Sequence, residues 1–183
     1  MLLLGVRPVG LAGAFSPLGR ETFLTRVEWV DCWPVPAPPT LAPGPRVEES
    51  FDLTDPDALA DPGWLAVRRT PAEVGEATGD GLVITGDGTT LDDPRPWFVG
   101  RRQRHLDATV SATVDASLGT GGLACRYGED HWFALEVGDG TVTARARLAG
   151  IDREWTAPLP GGPVVLRFEL ARPGSDFNDW HRS

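Results

Sequence analysis

Positive charge is scarce in this 183-residue chain. Its 17 Lys and Arg stand against 26 Asp and Glu, giving a formal net charge of -9 and a sequence pI near 4.7. An acidic surface repels phosphate backbones, and no basic stripe with interleaved aromatics offsets it. Nucleic acid is therefore excluded as a partner. Cysteine is scarce too. Cys32 and Cys125 are the two present, neither lies in a CxxC, and the three histidines do not complete a zinc spacing. The thiols read as free and partly buried, with a disulfide between them as the alternative, and no metal site is expected. Long apolar runs are missing. The opening MLLLGVRPVGLAGAF has a short one and a small-residue stretch, Ala12-Gly13-Ala14, but no positive charge precedes it. The run is too short to span a bilayer. A buried strand over Leu2–Val6 is the better reading than a signal peptide, so no membrane association is expected and the location is expected to be cytoplasmic. Heptads, a Gly-Lys-Ser/Thr phosphate loop, a nucleophile elbow and a Ser/His/Asp order are lacking as well. No cofactor is expected.

Glycine (22) and proline (17), by contrast, are plentiful. Both interrupt helices and suit turns, which favours many short strands. Strand candidates are Leu82–Thr85, Trp97–Arg101, Ala108–Val114, Gly122–Tyr127, Trp132–Val137, Thr141–Leu148 and Val164–Leu170. In Phe133-Ala134-Leu135-Glu136-Val137 the apolar residues recur every second position. Period-two alternation puts one face in a core and the other toward solvent. Gly86-Asp87-Gly88, Gly119-Thr120-Gly121, Gly138-Asp139-Gly140 and Gly161-Gly162 supply turns between them. The expected class is all-β, a sandwich or barrel.

Three segments follow. Residues 1–35 hold a strand, a Gly/Pro turn and a second β-rich run from Glu21 to Val30. The stretch PVPAPPTLAPGP, Pro34 to Pro45, reads as an extended linker centred on residues 36–46. Residues 47–183 carry the evenly spaced strands. Two hydrophobic strands alone make a marginal structure, so the first segment reads as part of something larger.

Several polar clusters invite sharper readings. Glu129-Asp130-His131 sits between two strand candidates, where a polar hairpin turn is the simple explanation. Asp176, Asn178, Asp179 and His181 lack the glycine and terminal glutamate of a calcium loop and read as a polar tail. The seven tryptophans could form a sugar-stacking platform, but core packing is the preferred role. Trp155 and Trp180 are the hardest of them to place. Arg101 and Gln103 share one face of a strand with Arg102 opposed, and carboxylate pairing in a structural role suits such guanidinium groups better than sugar contact.

The run Leu18-Gly19-Arg20-Glu21-Thr22-Phe23, then Val27-Glu28-Trp29 and Trp33-Pro34, resembles the end of the catalytic domain of family 43 glycoside hydrolases, the β-xylosidases and α-L-arabinofuranosidases. Leu4-Gly5-Val6-Arg7 resembles the strand before it, and Cys32 stands where the family usually has glycine. Downstream, Phe51, Leu59, Trp64, Arg68 and Pro71 are similar to the opening of that family's C-terminal concanavalin A-like domain. Phe98-Val99-Gly100-Arg101-Arg102-Gln103 with His105 is similar to its internal motif, and Gly122-Leu123-Ala124, Tyr127 and Trp132–Val137 to the hairpin after it.

The resemblance implies a concanavalin A-like, jelly-roll antiparallel β-sandwich, cut short at its C-terminal end. It also implies that the two strands of residues 1–35 are left over from a five-bladed propeller. Hydrolysis in the family uses three carboxylates upstream of the LGRETF run, with inversion. None of their motifs occurs in this sequence, so no catalytic residue is assigned. By position Arg20 is the one substrate-binding residue implied, and only with the propeller present. Three functions compete: an accessory portion of a xylan- or arabinan-cleaving enzyme, not catalytic alone; a stand-alone carbohydrate-binding module for xylo- or arabino-oligosaccharides; or a non-covalent partner completing another chain's propeller. In the first and third, the missing propeller is the packing partner.

Overall fold

The computed structural model describes residues 2–6, 16, 18–38 and 47–171. They fall into two compact units. One is built from residues up to Glu49 with Gln103–Asp107 and the chain from Leu170, the other from Ser50–Arg102 and Ala108–Glu169.

The first unit consists of two antiparallel hairpins. Strand β1 (Leu2–Val6), expected from the sequence, pairs with β2 (Arg20–Leu24), with Val6 opposite Arg20. Strand β3 (Val27–Val30) pairs with β4 (Trp33–Pro36). The run from Glu21 to Val30 is thus two strands. It breaks at Thr25 and Arg26, where the Thr25 hydroxyl donates to the Ala37 carbonyl at 2.6 Å and the Ala37 N–H to the Arg26 carbonyl at 3.0 Å. Strand β4 also takes in Pro34 and Pro36 from the proline-rich stretch. Its only partner among the described residues is β3, so prolines cost no ladder bond on its outer edge. The turn between β3 and β4 is Asp31-Cys32, with φ of 50° and 67°. Positive φ at both central residues is the type I′ geometry that matches strand twist and favours Asn or Asp followed by Gly. Cys32 occupies the position where glycine fits without strain. It is exposed, and not partly buried as its sequence context suggests.

The second unit is antiparallel throughout. Short ladders join β5 (Trp64–Ala66) to β8 (Val99–Arg101) and β6 (Gly75–Thr78) to β7 (Gly81–Ile84). Between β5 and β6 lies the single turn of α1 (Pro71–Val74), which opens with Thr70 and with proline at its first position. The Glu73 carboxylate accepts from the Thr70 N–H at 2.7 Å and from its hydroxyl at 2.8 Å. Strand β9 (Ala108–Val114) pairs with β14 (Val164–Leu170), which buries Leu166.

The largest sheet is a four-stranded meander: β10 (Gly121–Gly128), β11 (His131–Gly138), β12 (Thr141–Leu148) and β13 (Ile151–Pro158). Each connection has two residues. Asp139-Gly140 has φ of 50° and 71°, and Ala149-Gly150 has 49° and 86°, so both are type I′. The first was legible as a turn. The second was not, because alanine rarely takes positive φ, and β13 was missed with it. Register fixes the two faces of this sheet. Arg126, Trp132 and Arg147 share a row with Asp152. Ala124, Ala134, Arg145 and Glu154 form the next row, and Gly122, Glu136, Thr143 and Thr156 the third. That is the polar face. The opposite, apolar face carries Leu123, Cys125, Phe133, Leu135, Val142, Ala144, Ala146, Leu148, Ile151 and Trp155. No helix among the described residues is long and apolar enough to cross a membrane.

Candidate functional site

The polar face is the better covered of the two. Trp132 is 4% exposed and Ala134 3%, while Phe133, between them on the other face, is 42% exposed. This reverses the expectation that the Phe133, Leu135 and Val137 face is the core side throughout. Val137 is buried at one end of that face, but Ile151 and Trp155 at the other are 60% and 61% exposed. The cover over the polar face comes from the segment between β7 and β8. Arg126, its side chain 7% exposed, donates from Nε to the Leu91 carbonyl at 2.8 Å and from Nη2 to the Asp93 carbonyl at 3.2 Å. Arg147 reaches the Asp92 carboxylate at 2.5 Å. The Thr90 hydroxyl, which bonds to Asp92, is the main reason that carboxyl sits below its ordinary pKa; its own backbone and Arg147 add to the effect.

Beyond that cover, charges alternate across the strands. Arg145 lies 3.3 Å from Glu136 on one side and 3.4 Å from Glu154 on the other. Its guanidinium carbon is 5.6 Å from the centre of the Trp132 ring, within cation–π range. Arg147 lies 3.6 Å from Asp152. Trp132, Arg145, Ala146, Asp152, Arg153 and Glu154 line a cavity of about 120 Å³. The Trp132 ring N–H is buried and has no hydrogen-bond partner among the described residues. Sequence reading missed this cluster. The signal was there in the spacing: Arg145 and Arg147, two apart on β12, stand opposite Glu154 and Asp152, two apart on β13. It becomes visible once Ala149-Gly150 is recognised as a turn.

The Gly-Arg-Arg-Gln motif has a structural solution. Arg101 ends β8 opposite Trp64 and donates to Asp61 at 2.7 Å, its side chain 17% exposed. Its guanidinium carbon stacks 4.1 Å from the Phe51 ring centre and 5.2 Å from that of Trp64. A β-carbon on Gly63 would fall 2.1 Å from the Arg101 guanidinium, so a larger residue there would have to push that group aside. The strand stops there. Gln103 lies beyond it and donates to the His105 carbonyl at 2.6 Å, so it does not share a sheet face with Arg101. Arg102 is exposed, and Arg104 pairs with Glu49 at 3.2 Å.

The other candidates resolve as follows. Glu129 and Asp130 are the turn between β10 and β11, with a register irregularity at Arg126/Gly128. Glu129 lies 3.8 Å from both Arg68 and Arg126, and His131 meets the Tyr127 ring edge-on. Arg20 is exposed at the start of β2. Trp97 precedes its strand and lies under the Arg69 guanidinium at 4.2 Å, its buried ring N–H without a hydrogen-bond partner among the described residues. Core packing describes Trp132 alone among the buried residues, since Trp29, Trp33 and Trp155 are exposed. Cys32 and Cys125 are both free, and burial pushes the Cys125 thiol pKa up. Asp176, Asn178, Asp179, Trp180 and His181 lie outside the described residues.

Residues 57–176 match the family of the beta xylosidase C-terminal concanavalin A-like domain. The chain belongs to this family. Its all-β, antiparallel architecture is that of the concanavalin A-like sandwich, and the resemblance to the C-terminal domain of family 43 glycoside hydrolases, drawn from GRRQ and the residues around it, holds. Among solved structures, the chain is similar to the Bacteroides ovatus protein described as xyloglucan PUL GH43B. The TM-score is 0.71 at 23% identity, over 93% of this chain and 38% of that one. At that identity the likeness is one of fold, and the chain spans well under half the length of that structure. A search of curated proteins finds no match.

Proposed function

We propose that the chain is the accessory β-sandwich portion of a family 43 glycoside hydrolase and does not itself carry out hydrolysis. The observation that carries this reading is the family match, which lies wholly within the third segment, residues 47–183. On the same reading, residues 1–35 are the last strands of a catalytic propeller and residues 36–46 the linker. The propeller is the packing partner, and Arg20 contacts sugar hydroxyls only when the rest of it is present. Xylan or arabinan oligosaccharides are the substrate of the whole enzyme, and the cytoplasm is its location. The carboxyl chemistry is consistent with an accessory role. A glycosidase general acid needs its pKa raised. Asp52, Glu73, Asp92 and Asp115 are held below their ordinary values, by hydrogen bonds from threonine or serine.

The test is an assay of the purified full chain on an aryl β-xyloside and an aryl α-arabinofuranoside. The expected result is no turnover above buffer. Turnover that co-elutes with the chain and falls when its own carboxylates are substituted overturns the proposal. A second reading, a stand-alone carbohydrate-binding module, is favoured by one observation: the small cavity beside the ion-paired Arg145 and Glu154 of β12 and β13.

A further inference from the structure

We propose that the apolar face of the β10–β13 sheet is a self-association surface, and that its occupant is the same face of a second copy of this chain. A sheet face rich in large apolar side chains is stable when laid against another layer, and open patches of this kind mark interaction sites. Here Phe133 and Leu148 are each 42% exposed, Ile151 60% and Trp155 61%, and β13 is exposed along its whole length. Charge permits a second copy at this face in particular. The chain has a formal net charge of -9, so contacts between copies elsewhere tend to set carboxylate against carboxylate. The strand residues of this face include no carboxylate. Register puts Glu136, Asp152 and Glu154 on the opposite side. Arg153, at the sheet edge, is the face's one formal charge, and its guanidinium donates to the Asp152 carbonyl at 2.9 Å.

Shape fits the face to itself. Across the strands, one row of the face runs Leu123, Leu135, Ala144, Trp155, and the next Cys125, Phe133, Ala146, Arg153. In both rows β11 carries a larger side chain than β12, and β13 a larger one than β10. A two-fold axis along the strands, between β11 and β12, keeps each row level and reverses the strand order. It lays β11 over β12 of the other copy, and β13 over β10. Phe133 then meets Ala146, Leu135 meets Ala144 and Trp155 meets Leu123, large on small each time. A two-fold contact between identical surfaces requires this self-complementarity. Two sheets laid face to face with interdigitating side chains are ordinary sandwich packing. The area suffices for a weak dimer. Each of the four strands has eight residues. At about 3.3 Å per residue and about 4.8 Å between strands, the face covers roughly 500 Å². Two copies contribute roughly 1,000 Å², the low end of specific interfaces. The contact is therefore reversible, and in dilute solution each copy is alone with Trp155 open to water.

The experiment is sedimentation equilibrium of the full chain, from micromolar to near-millimolar concentration. The expected result is a mass that rises from 19.7 kDa toward twice that value and goes no further. Trp155→Glu, at an exposed position, is expected to abolish the rise. Ala146→Phe is the sharper variant. It makes the face more apolar, yet it fills the hollow that receives Phe133, and is expected to weaken association at least about tenfold. Trp29→Glu, on the first unit and 72% exposed in the native chain, is expected to leave association unchanged. Near-UV circular dichroism of dilute samples reports whether each variant is folded, and Trp155→Glu decides if Ala146→Phe is not. A chain that stays monomeric throughout overturns the proposal. So does association that Trp155→Glu leaves intact, that Ala146→Phe tightens, or that Trp29→Glu abolishes. A monomer whose tryptophan fluorescence is quenched by xylohexaose, with the quenching lost in Trp155→Glu, also overturns it and gives the face to a sugar chain.

Discussion

The two faces of the β10–β13 sheet differ in the opposite sense from their chemistry. The face rich in arginine and carboxylates buries its tryptophan, and the face rich in Phe, Leu, Ile and Trp leaves four of those side chains at least 42% exposed at one end. The reason is cover. Leu91, Asp92 and Asp93 are tied down onto the polar face by Arg126 and Arg147, and the Arg145 guanidinium lies over the Trp132 ring. Polarity of a face therefore does not decide which side is dry; the element laid over it does. The sharpest way to break this comparison is a pair of tryptophan truncations. Trp132→Ala is expected to cost about 3–5 kcal/mol, as for a buried aromatic. Trp155→Ala is expected to stay within about 0.5 kcal/mol, as for an exposed position. Chemical denaturation of both variants measures the difference. Equal losses would mean that the apolar face is the true core.

A smaller effect isolates the cover itself. Arg126→Met keeps the stem but removes the donors to the Leu91 and Asp93 carbonyls. Stranding those part-buried acceptors is expected to cost about 2 kcal/mol. The loss should appear as faster proteolysis between Gly86 and Arg95 before global unfolding. Uniform loss across the chain would mean that Arg126 supports the sheet and not its cover.

How much of this was readable beforehand follows the same division. Ala108–Val114, Thr141–Leu148 and Val164–Leu170 were bounded correctly, because β-branched runs between turn residues are local signals. The Asp139-Gly140 turn was legible for the same reason. Strand β13 was not. Arg153 interrupts the apolar series Ile151, Trp155 and Ala157, and its leading turn uses Ala149 at positive φ. The GRRQ motif was recognisable as a family mark, and a structural carboxylate partner for Arg101 was the preferred reading. That the partner is Asp61, forty residues away, is a tertiary fact that spacing does not reveal. The polar-face cluster was hidden for the same reason, since it needs β13 in register before its carboxylates meet Arg145 and Arg147.

The smallest expected effect sharpens the comparison by pH. Asp92 is the carboxylate through which the cover meets Arg147, and its pKa is lowered from 3.8, first by the Thr90 hydroxyl. A carboxyl with a depressed folded-state pKa contributes stability that is fully present above its unfolded value. That contribution is lost as pH falls through the folded value. The group is partly exposed, so solvent screening keeps the contribution small. Thermal melts of the native chain and of Asp92→Asn should therefore differ slightly at neutral pH, with the native chain higher. The gap should close as pH drops below 3.8, because the protonated carboxyl accepts less strongly from the Thr90 hydroxyl and no longer attracts Arg147. Cys125 on the apolar face, whose thiol is pushed the other way by burial, serves as the internal contrast. Cys125→Ser should show no such convergence at low pH, since the thiol is neutral throughout that range. A gap for Asp92→Asn that stays constant down to pH 3 would mean that neither Thr90 nor Arg147 holds the segment through the Asp92 charge, and that the cover rests on Arg126 alone.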